Sequence, residues 1–386
     1  MIDIFVGGDF YLANRLEHSA FQPDGVDAVF GDLRSVIEAA DFSVLNLETP
    51  LLPADSPSQS LRKCGPNLRN PLENATLLKK AGFDAVTLAN NHFLDQGEYG
   101  VDSTLKALKN NGILTVGGGH NLAEAIRPLV VTIHGKKVAF VNFCENEFSI
   151  ATATSGGSAP LDFIENFRQL TNAAEVADYV IAIVHCGVEL FPLPTPKQQR
   201  RLRFLAENGA DVVIAHHAHC FCGWEYHGHV PIFYGLGNFS FDNPAYRNSI
   251  WNLGVAVKLT FSEQTPQVEL IPYLQGDNVP GLQLLSWERQ LMFERNMREK
   301  TEILADSERL EQEFNGLCKR NAAMRLEVFE TWHHKIFRLL RQYKIFPSAL
   351  SVSRRRLLLN YLRCESHREV LLKLLEAPRL KKDNVK

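Results

Sequence analysis

Short runs of β-branched and aromatic residues alternate with stretches of helical apolar spacing over roughly the first 280 residues. The predicted strands are Met1–Gly8, Asp41–Leu47, Asp84–Leu88, Ile113–Val116, Leu129–Ile133, Lys137–Cys144, Tyr179–Val184, Asp211–Ala215, Val230–Tyr234, Trp251–Phe261 and Gln267–Leu274. The predicted helices between them are Asp27–Ala40, Asn74–Ala81, Gly100–Asn111, Asp162–Ala177 and Lys197–Asn208. Alternation of strand and helix at this spacing predicts an α/β fold.

The pattern changes near residue 280. From Leu282 to Glu376 the apolar residues recur at helical spacing, charge is dense and glycine is scarce. The predicted helices of this part are Trp287–Phe314, Ala322–Tyr343, Arg354–Arg363 and His367–Glu376. We therefore predict two domains, an α/β domain over residues 1–280 and a basic helical extension over residues 281–386.

Charge separates the same two parts. Residues 1–284 carry 19 Lys and Arg against 30 Asp and Glu, whereas residues 285–386 carry 22 against 14. The whole chain of 386 residues has a net charge of −3 and is 45% hydrophobic and 22% charged, a composition that excludes a wholly disordered or coiled-coil protein. A nearly balanced charge gives no general attraction to nucleic acid, and we expect no nucleic-acid partner.

The N-terminus lacks a basic segment followed by an apolar one, and no stretch approaches the roughly 18 apolar residues of a transmembrane helix. We therefore expect a cytoplasmic protein without a transmembrane segment. Peripheral association with the inner face of the membrane is the alternative.

Polar side chains that commonly bind metals follow five of the predicted strands. They are Asp9, Glu48, Asn91, His185, His217 and His219, with His92 directly after Asn91. Because ligands bind at the carboxyl ends of the strands in α/β sheets, these loops can converge on one site. Each residue alone also fits a capping or hydrogen-bonding role, but the recurrence at five strand ends favours a metal centre. Carboxylate, amide and imidazole ligands suit one or two divalent ions of Mn, Fe or Zn.

A Pro- and Ser-rich segment between Leu51 and Arg69 carries three cationic side chains, Arg62, Lys63 and Arg69. They are candidates for binding an anionic substrate, and a solvated basic loop is the alternative.

Several stretches resemble the CapA-type capsule biosynthesis proteins, which are named for poly-γ-glutamate capsule synthesis. The stretches are GGDF at 7–10, NLETPL at 46–51, NPLENATLLKKAGFDAVTLANNHFLDQGEYG at 70–100, GGGHNLAEAIRP at 117–128, VHCGVEL at 184–190 and ADVVIAHHAHCFCGWEYHGHVPIFYGLGNFSFD at 210–242. The resemblance covers residues 1–260 approximately. It implies a metallophosphoesterase-like fold of the calcineurin type, a four-layer α-β-β-α sandwich, here with a C-terminal helical extension.

The resemblance also implies roles for single residues. Asp9 matches the aspartate that holds one metal, Glu48 falls at the bridging carboxylate, and Asn91, His185, His217 and His219 match the remaining ligands. His92 matches a histidine that can protonate a leaving group. Asp95 and Glu189 fall at further motif positions and are catalytic candidates, and Asn238 is a substrate-binding candidate. Tyr11 stands where phosphoesterases usually carry histidine, so one of two metals would lose an imidazole ligand.

These features predict a metal-dependent enzyme of capsule, cell-surface polysaccharide or poly-amino-acid biosynthesis that hydrolyses or transfers a phosphoester. Its substrate would be an anionic polymer precursor or a phosphorylated small molecule, and its C-terminal helices would contact polymer-synthesis proteins. One alternative is a transferase or ligase that forms an amide between a capsular sugar acid and an amino acid. The other is a non-catalytic scaffold of a polymer-synthesis complex, which Tyr11 favours.

Overall fold

The structure is a computed structural model that describes residues 1–262, 265–326, 329–330, 334–343, 345, 347–363, 367 and 375. The chain forms two compact units, Met1–Gln312 and Glu313–Lys386. The predicted domain division at 280/281 stays a prediction. Among the described residues, no helix combines the length and the apolar character needed to cross a membrane.

The first unit contains all eighteen strands found in the described residues. They are β1 (Ile2–Phe10), β2 (Phe42–Leu47), β3 (Leu51–Leu52), β4 (Asn70–Pro71), β5 (Ala85–Thr87), β6 (Leu114–Val116), β7 (Gly118–Gly119), β8 (Leu129–Ile133), β9 (Lys136–Cys144), β10 (Gly157–Ser158), β11 (Tyr179–His185), β12 (Val212–His216), β13 (Trp224–His227), β14 (Val230–Phe233), β15 (Asn238–Ser240), β16 (Leu253–Phe261), β17 (Gln267–Leu274) and β18 (Gln283–Leu284).

The helices, in chain order, are α1 (Arg15–Ser19), α2 (Gly25–Phe30), α3 (Arg34–Ala39), α4 (Glu73–Lys80), α5 (Gly97–Asn110), α6 (Leu122–Ala125), α7 (Phe163–Val176), α8 (Pro196–Glu207), α9 (Trp287–Ala305), α10 (Ser307–Leu326), α11 (Lys335–Gln342) and α12 (Val352–Arg363). Three short 3₁₀ segments lie at Gly31–Leu33, Pro244–Tyr246 and Ile250–Asn252.

Two large sheets form the centre of the first unit. The first has the order β18-β17-β16-β1-β2-β5-β6, with β15 pairing with β1, and the second has the order β13-β14-β12-β11-β9-β8. A core of β-branched and aromatic side chains from both sheets, including Ile4, Val44, Phe140 and Ile183, lies between them. Apolar residues alternate in facing along each strand, so each sheet also has an apolar outer face.

Helices cover these outer faces. Side chains of α1–α5 pack on the first sheet around Phe30 and Phe83. Side chains of α7 and α8 pack on the second around Leu170 and Leu202. The order helix, sheet, sheet, helix confirms the predicted four-layer α-β-β-α sandwich. Strands β1, β2 and β5 run parallel to one another, as do β11 and β12, so their carboxyl ends meet at common edges.

Three predicted helices differ from the structure. The predicted helix over 27–40 is interrupted by the 3₁₀ segment at Gly31, whose φ of +44° suits glycine and whose Cα lies so near the Leu282 carbonyl that a Cβ would be 2.1 Å from it. The predicted helix over 287–314 is wrong as one continuous element, because Asp306 separates α9 from α10. The Asp306 side chain accepts hydrogen bonds from the backbone N–H groups of Glu308 and Arg309 at the start of α10.

In the second unit, the predicted helix over 322–343 is wrong as one continuous element, because a new helix begins at Lys335 after the cap residue His334. A carboxylate, Glu330, accepts hydrogen bonds there from the Ser348 hydroxyl at 2.5 Å and the Ala349 N–H at 2.8 Å. The predicted helix over 367–376 lies outside the described residues except for positions 367 and 375.

Candidate metal centre

The six predicted metal ligands lie together where strands of both sheets end. Asp9 is the penultimate residue of β1, and Glu48 directly follows β2. Asn91 follows β5, His185 ends β11, and His217 and His219 follow β12. All six residues are buried, with exposures from 0% to 9%. The convergence follows from the parallel directions of the strands that carry them.

A first group of donor atoms surrounds the Nε2 atom of His185. This nitrogen lies 3.5 Å from Glu48 Oε1, 3.1 Å from His217 Nδ1 and 3.0 Å from Asn91 Oδ1. Donors held about 2.1 Å from one tetrahedral cation lie roughly 3.4 Å apart. Glu48, His185 and His217 can therefore hold one ion, with Asn91 in reach as a fourth ligand.

A second group consists of Asp9, Glu48 and His219, whose ligand atoms lie within 4.8 Å of one another. His219 Nδ1 is 2.9 Å from Asn238 Oδ1, which directs Nε2 toward Glu48 Oε1 at 3.8 Å. Glu48 belongs to both groups, as expected of a bridging carboxylate. The second group has one protein ligand fewer, since Tyr11 packs its ring on Phe241 at 4.9 Å instead of offering an imidazole.

The surroundings of the Glu48 carboxylate show whether a cation fits between the two groups of donor atoms. Its side chain is fully buried, and neither carboxylate oxygen has a hydrogen-bond partner among the described residues. Burial raises the pKa of Glu48 well above its usual range, and the charge of Asp9 raises it further. Burial lowers the pKa of His185 well below its usual range, with nearby imidazoles adding to the effect. Two carboxylate oxygens without hydrogen-bond partners, facing buried imidazoles, form a donor set that suits a divalent cation.

Asp9 is held more firmly than Glu48. Asn46 Nδ2 donates to its Oδ1 at 2.8 Å, and the His217 N–H donates to its Oδ2 at 3.1 Å. Burial nevertheless raises the pKa of Asp9 to about 7. His216 Nδ1 lies 3.4 Å from the same carboxylate, and burial lowers the pKa of His216 to about 3.

Asn46 and His216 are site residues that the sequence analysis missed. Asn46 stands two positions before Glu48, so strand alternation puts both side chains on one face of β2 and could have indicated it. His216 is the first histidine of the HHAH run, and neither its residue type nor its spacing distinguishes it from the two candidate ligands that follow.

His92 lies at the rim of the first group in a buried hydrogen-bonded set. Its Nδ1 is 2.6 Å from Asp95 Oδ2, which leaves Nε2 facing the site, 4.0 Å from Glu48 Oε1. Lys63 pairs with the other oxygen of Asp95, and its side chain is only 2% exposed. Lys63 Nζ also lies 3.3 Å from His92 Nδ1. Asp95 and Lys63 thus hold the imidazole in one orientation.

The remaining predicted residues occupy different places. The Arg69 guanidinium donates to the carbonyls of Pro53 and Ser56, and Arg62 is exposed. Glu189 is exposed on the loop after β11, and its charge contributes to the raised pKa of Glu48. Asn238 is fully buried behind His219. The structure thus brings Lys63, His92 and Asp95 to the centre, and the substrate-binding roles of Arg62, Arg69 and Asn238 stay predictions.

The loop after β12 has an uncommon backbone. His217 and His219 have φ values of +85° and +52°, in the left-handed region that non-glycine residues rarely adopt. Ala218, which lies between them, does not have a positive φ. The resulting turn directs both imidazoles toward the carboxylates of Asp9 and Glu48. Strained positions of this kind concentrate at functional sites.

The layered sheets and the carboxylate–histidine cluster at their strand ends define a protein of metallophosphoesterase-like fold. A family model described as Bacterial capsule synthesis protein PGA_cap matches residues 3–243. The chain therefore belongs to the bacterial capsule synthesis protein family. The match contains every predicted site residue and ends before α9.

Two curated relatives carry capsule-related names. The chain is 30% identical over 224 residues to "Capsule biosynthesis protein CapA" of Bacillus anthracis, covering 56% of this chain and 54% of the relative. It is 27% identical over 238 residues to "PGA biosynthesis protein CapA" of Bacillus subtilis (strain 168), covering 61% and 62%. The chain thus spans between half and two thirds of the length of these relatives.

Solved structures resemble the chain more distantly. A putative 5′-nucleotidase from Staphylococcus aureus has a TM-score of 0.43 and 14% identity, covering 76% of this chain and 57% of that one. A novel phosphatase from Mycoplasma pneumoniae has a TM-score of 0.44 and 13% identity, covering 72% and 95%.

Proposed function

We propose that the chain is a metal-dependent enzyme that hydrolyses or transfers a phosphoester during synthesis of a capsule or another cell-surface polymer. The observation that carries the proposal is the shared, unpartnered carboxylate of Glu48 between two groups of buried imidazole and carboxylate donors. Membership of the capsule synthesis family supports the polymer context.

Glu48, His185, His217 and Asn91 would hold one Mn, Fe or Zn ion, and Asp9, Glu48 and His219 would hold a second one. The first set offers four protein ligands and the second offers three, so we expect one tight and one weaker site. When bound, the cations supply Lewis acidity toward a phosphoryl group.

His92 would be the proton donor of the reaction. Its Nδ1–H donates to Asp95, so the proton available to a substrate is carried on Nε2, which faces the site. Lys63 pairs with the other oxygen of Asp95 and holds this carboxylate beside the imidazole. A general acid in this position would protonate the oxygen of the leaving group. Glu189, exposed on the loop after β11, would be a further catalytic residue at the rim of the site.

The substrate would be an anionic polymer precursor or a phosphorylated small molecule. Arg62 is the exposed cation beside the buried Lys63 and is the candidate for contact with the substrate anion. The relatives named for capsule and poly-γ-glutamate biosynthesis support this substrate class. Proteins of polymer synthesis would be the partners, contacted through residues 281–386.

Metal content of the purified chain tests the proposal. We expect near-stoichiometric Mn, Fe or Zn by elemental analysis, lost in the double variant Asp9→Ala/His217→Ala. A control double variant, Asp55→Ala/His120→Ala, changes an exposed carboxylate and an exposed histidine outside the site and should retain the metal. Manganese-dependent hydrolysis of p-nitrophenyl phosphate or bis-p-nitrophenyl phosphate should follow the metal content.

Other results would redirect the proposal. A chain that binds no divalent ion, and is not stabilised by adding one, would contradict the enzyme and support the scaffold that Tyr11 favours. If label from an activated amino-acid donor is transferred to the polymer and is not released into water, the reaction is amide formation and the proposal of phosphoester hydrolysis is wrong.

A further inference from the structure

Helix α9 lies outside the segment that the family model matches, yet it contacts the loop that follows the ligand His185 and the loop that carries the ligands His217 and His219. The first of these, the 186–195 loop, follows His185. The second, the 217–223 loop, contains His217 and His219. The two loops are joined directly, since the Leu190 N–H donates to the Ala218 carbonyl at 2.9 Å.

Lys300 of α9 joins the loops a second time. Its ammonium donates to the carbonyl of Pro192 in the 186–195 loop at 2.7 Å and to the carbonyl of Phe221 in the 217–223 loop at 2.9 Å. Phe221 stands two residues after the ligand His219. An ammonium has three donors and no acceptor, so Lys300 can donate to both carbonyls at once. Such charge-assisted hydrogen bonds are stronger than neutral ones.

Contacts on both sides of Lys300 hold α9 close to the 217–223 loop and to α8. Gly223 has φ of +83°, and a Cβ there would lie 3.2 Å from Lys300 Cβ, so glycine lets α9 approach the loop. Phe293, on the same face of α9 about two turns before Lys300, packs against Phe221, with the two rings tilted by 44° and their centroids 5.5 Å apart. At the other end of the helix, Gln199 Nε2 donates to the Leu304 carbonyl at 2.8 Å. The helix is therefore anchored on both sides of Lys300.

We propose that Lys300 is a positioning residue of the metal centre, which fixes the 186–195 loop and the 217–223 loop relative to each other from a helix outside the segment that the family model matches. The inference rests on the proposed metal centre. Lys300 touches neither a ligand nor a substrate; it acts through the backbone of both loops. Partners that orient metal ligands typically change metal affinity by about 10- to 100-fold when they are removed.

The test is titration calorimetry of the metal-stripped full chain with Mn²⁺. Lys300→Met keeps the length of the side chain and removes the donors, and it should weaken Mn²⁺ binding by about tenfold or more. Lys300→Gln retains an amide donor and should bind with intermediate affinity. Arg298→Met is the matched control, since this exposed residue lies on the same helix, and it should bind like the wild-type chain.

Thermal unfolding of the metal-free variants separates positioning from general stability. A weaker affinity at an unchanged unfolding midpoint supports the inference, because a merely structural role would lower the midpoint and leave the affinity of the folded fraction unchanged. If Lys300→Met does not fold, Lys300→Gln decides the question by the same two measurements. Wild-type affinity in a folded Lys300 variant would overturn this inference alone. Absence of Mn²⁺ binding by the wild-type chain would overturn the proposed metal centre and this inference with it.

Discussion

Replacing Asp9 by asparagine should stabilise the metal-free chain at alkaline pH. The Asp9 carboxyl is fully buried and has a pKa of about 7, against about 3.9 in an unfolded chain. Between these two values the folded chain holds a proton that the unfolded chain has released. Stability therefore falls as pH rises through this window and levels off above it.

The size of the effect follows from the width of the window. A shift of about three pKa units corresponds to about 4 kcal/mol at 1.36 kcal/mol per unit. Asn46 and the His217 N–H both donate to Asp9, and an asparagine amide has only one acceptor oxygen. The lost hydrogen bond costs about 1–2 kcal/mol. Asp9→Asn should thus be about 2–3 kcal/mol more stable than the wild type at pH 8, and slightly less stable at pH 4.

Urea unfolding in EDTA, followed by tryptophan fluorescence between pH 4 and pH 8, measures both profiles. The curves of the wild type and Asp9→Asn should cross near pH 5. The exposed substitution Asp55→Asn is the control and should give a curve parallel to that of the wild type. Adding Mn²⁺ should reverse the order, since only the wild type keeps the carboxylate. Parallel curves for Asp9→Asn would refute the reasoning, because they would mean that Asp9 remains ionised despite its burial.

Three further predictions concern the site and the core. His92→Ala should lower kcat for alkyl phosphoesters by about 10²–10⁴-fold, and much less for p-nitrophenyl phosphate, whose leaving group needs no proton; equal losses on both substrates would exclude a general acid. Lys63→Met removes one partner of a buried ion pair and should lower the free energy of unfolding by about 3–5 kcal/mol in urea, with exposed Lys106→Met as an unaffected control. Phe239→Ala, in the core of the first sheet, should cost about 3–5 kcal/mol, while a loss below about 1 kcal/mol would contradict its close packing.

The layers of the fold could be predicted because strand and helix periodicities differ and alternate clearly. The interruptions of helices could not. Gly31 breaks a helix because Leu282, far along the chain, approaches its backbone. Asp306 separates α9 from α10, because its side chain accepts a hydrogen bond from the Glu308 N–H. A local bond of this kind competes with the backbone hydrogen bonds of a continuous helix. Neither the approach of Leu282 to Gly31 nor the hydrogen bond of Asp306 changes the spacing of apolar residues, so neither interruption is visible in that spacing.

The ligands of the candidate centre were predictable for a related reason. They are polar residues of metal-binding types at the ends of apolar strands, so both their place in the sequence and their chemistry indicate a site. The residues that orient them are not marked in this way. Lys63 was predicted, with Arg62 and Arg69, as a candidate for binding an anionic substrate, and only the fold shows that its side chain is buried against Asp95. Asn238 lies 19 residues after His219, yet its side chain fixes the imidazole.

The strand register of β1 determines when this centre can be assembled during synthesis. Asp9 pairs with Asn238 of β15 on one side and with Asn46 of β2 on the other, while Val6 pairs with Val257 of β16. A nascent chain that has just left the ribosome with its first hundred residues has Asp9 and Glu48 but none of the imidazoles of His185, His217 and His219. An ion held by this centre would therefore be acquired only after translation has passed His219, so it could not act as a nucleus for the folding of the segment that carries Asp9 and Glu48.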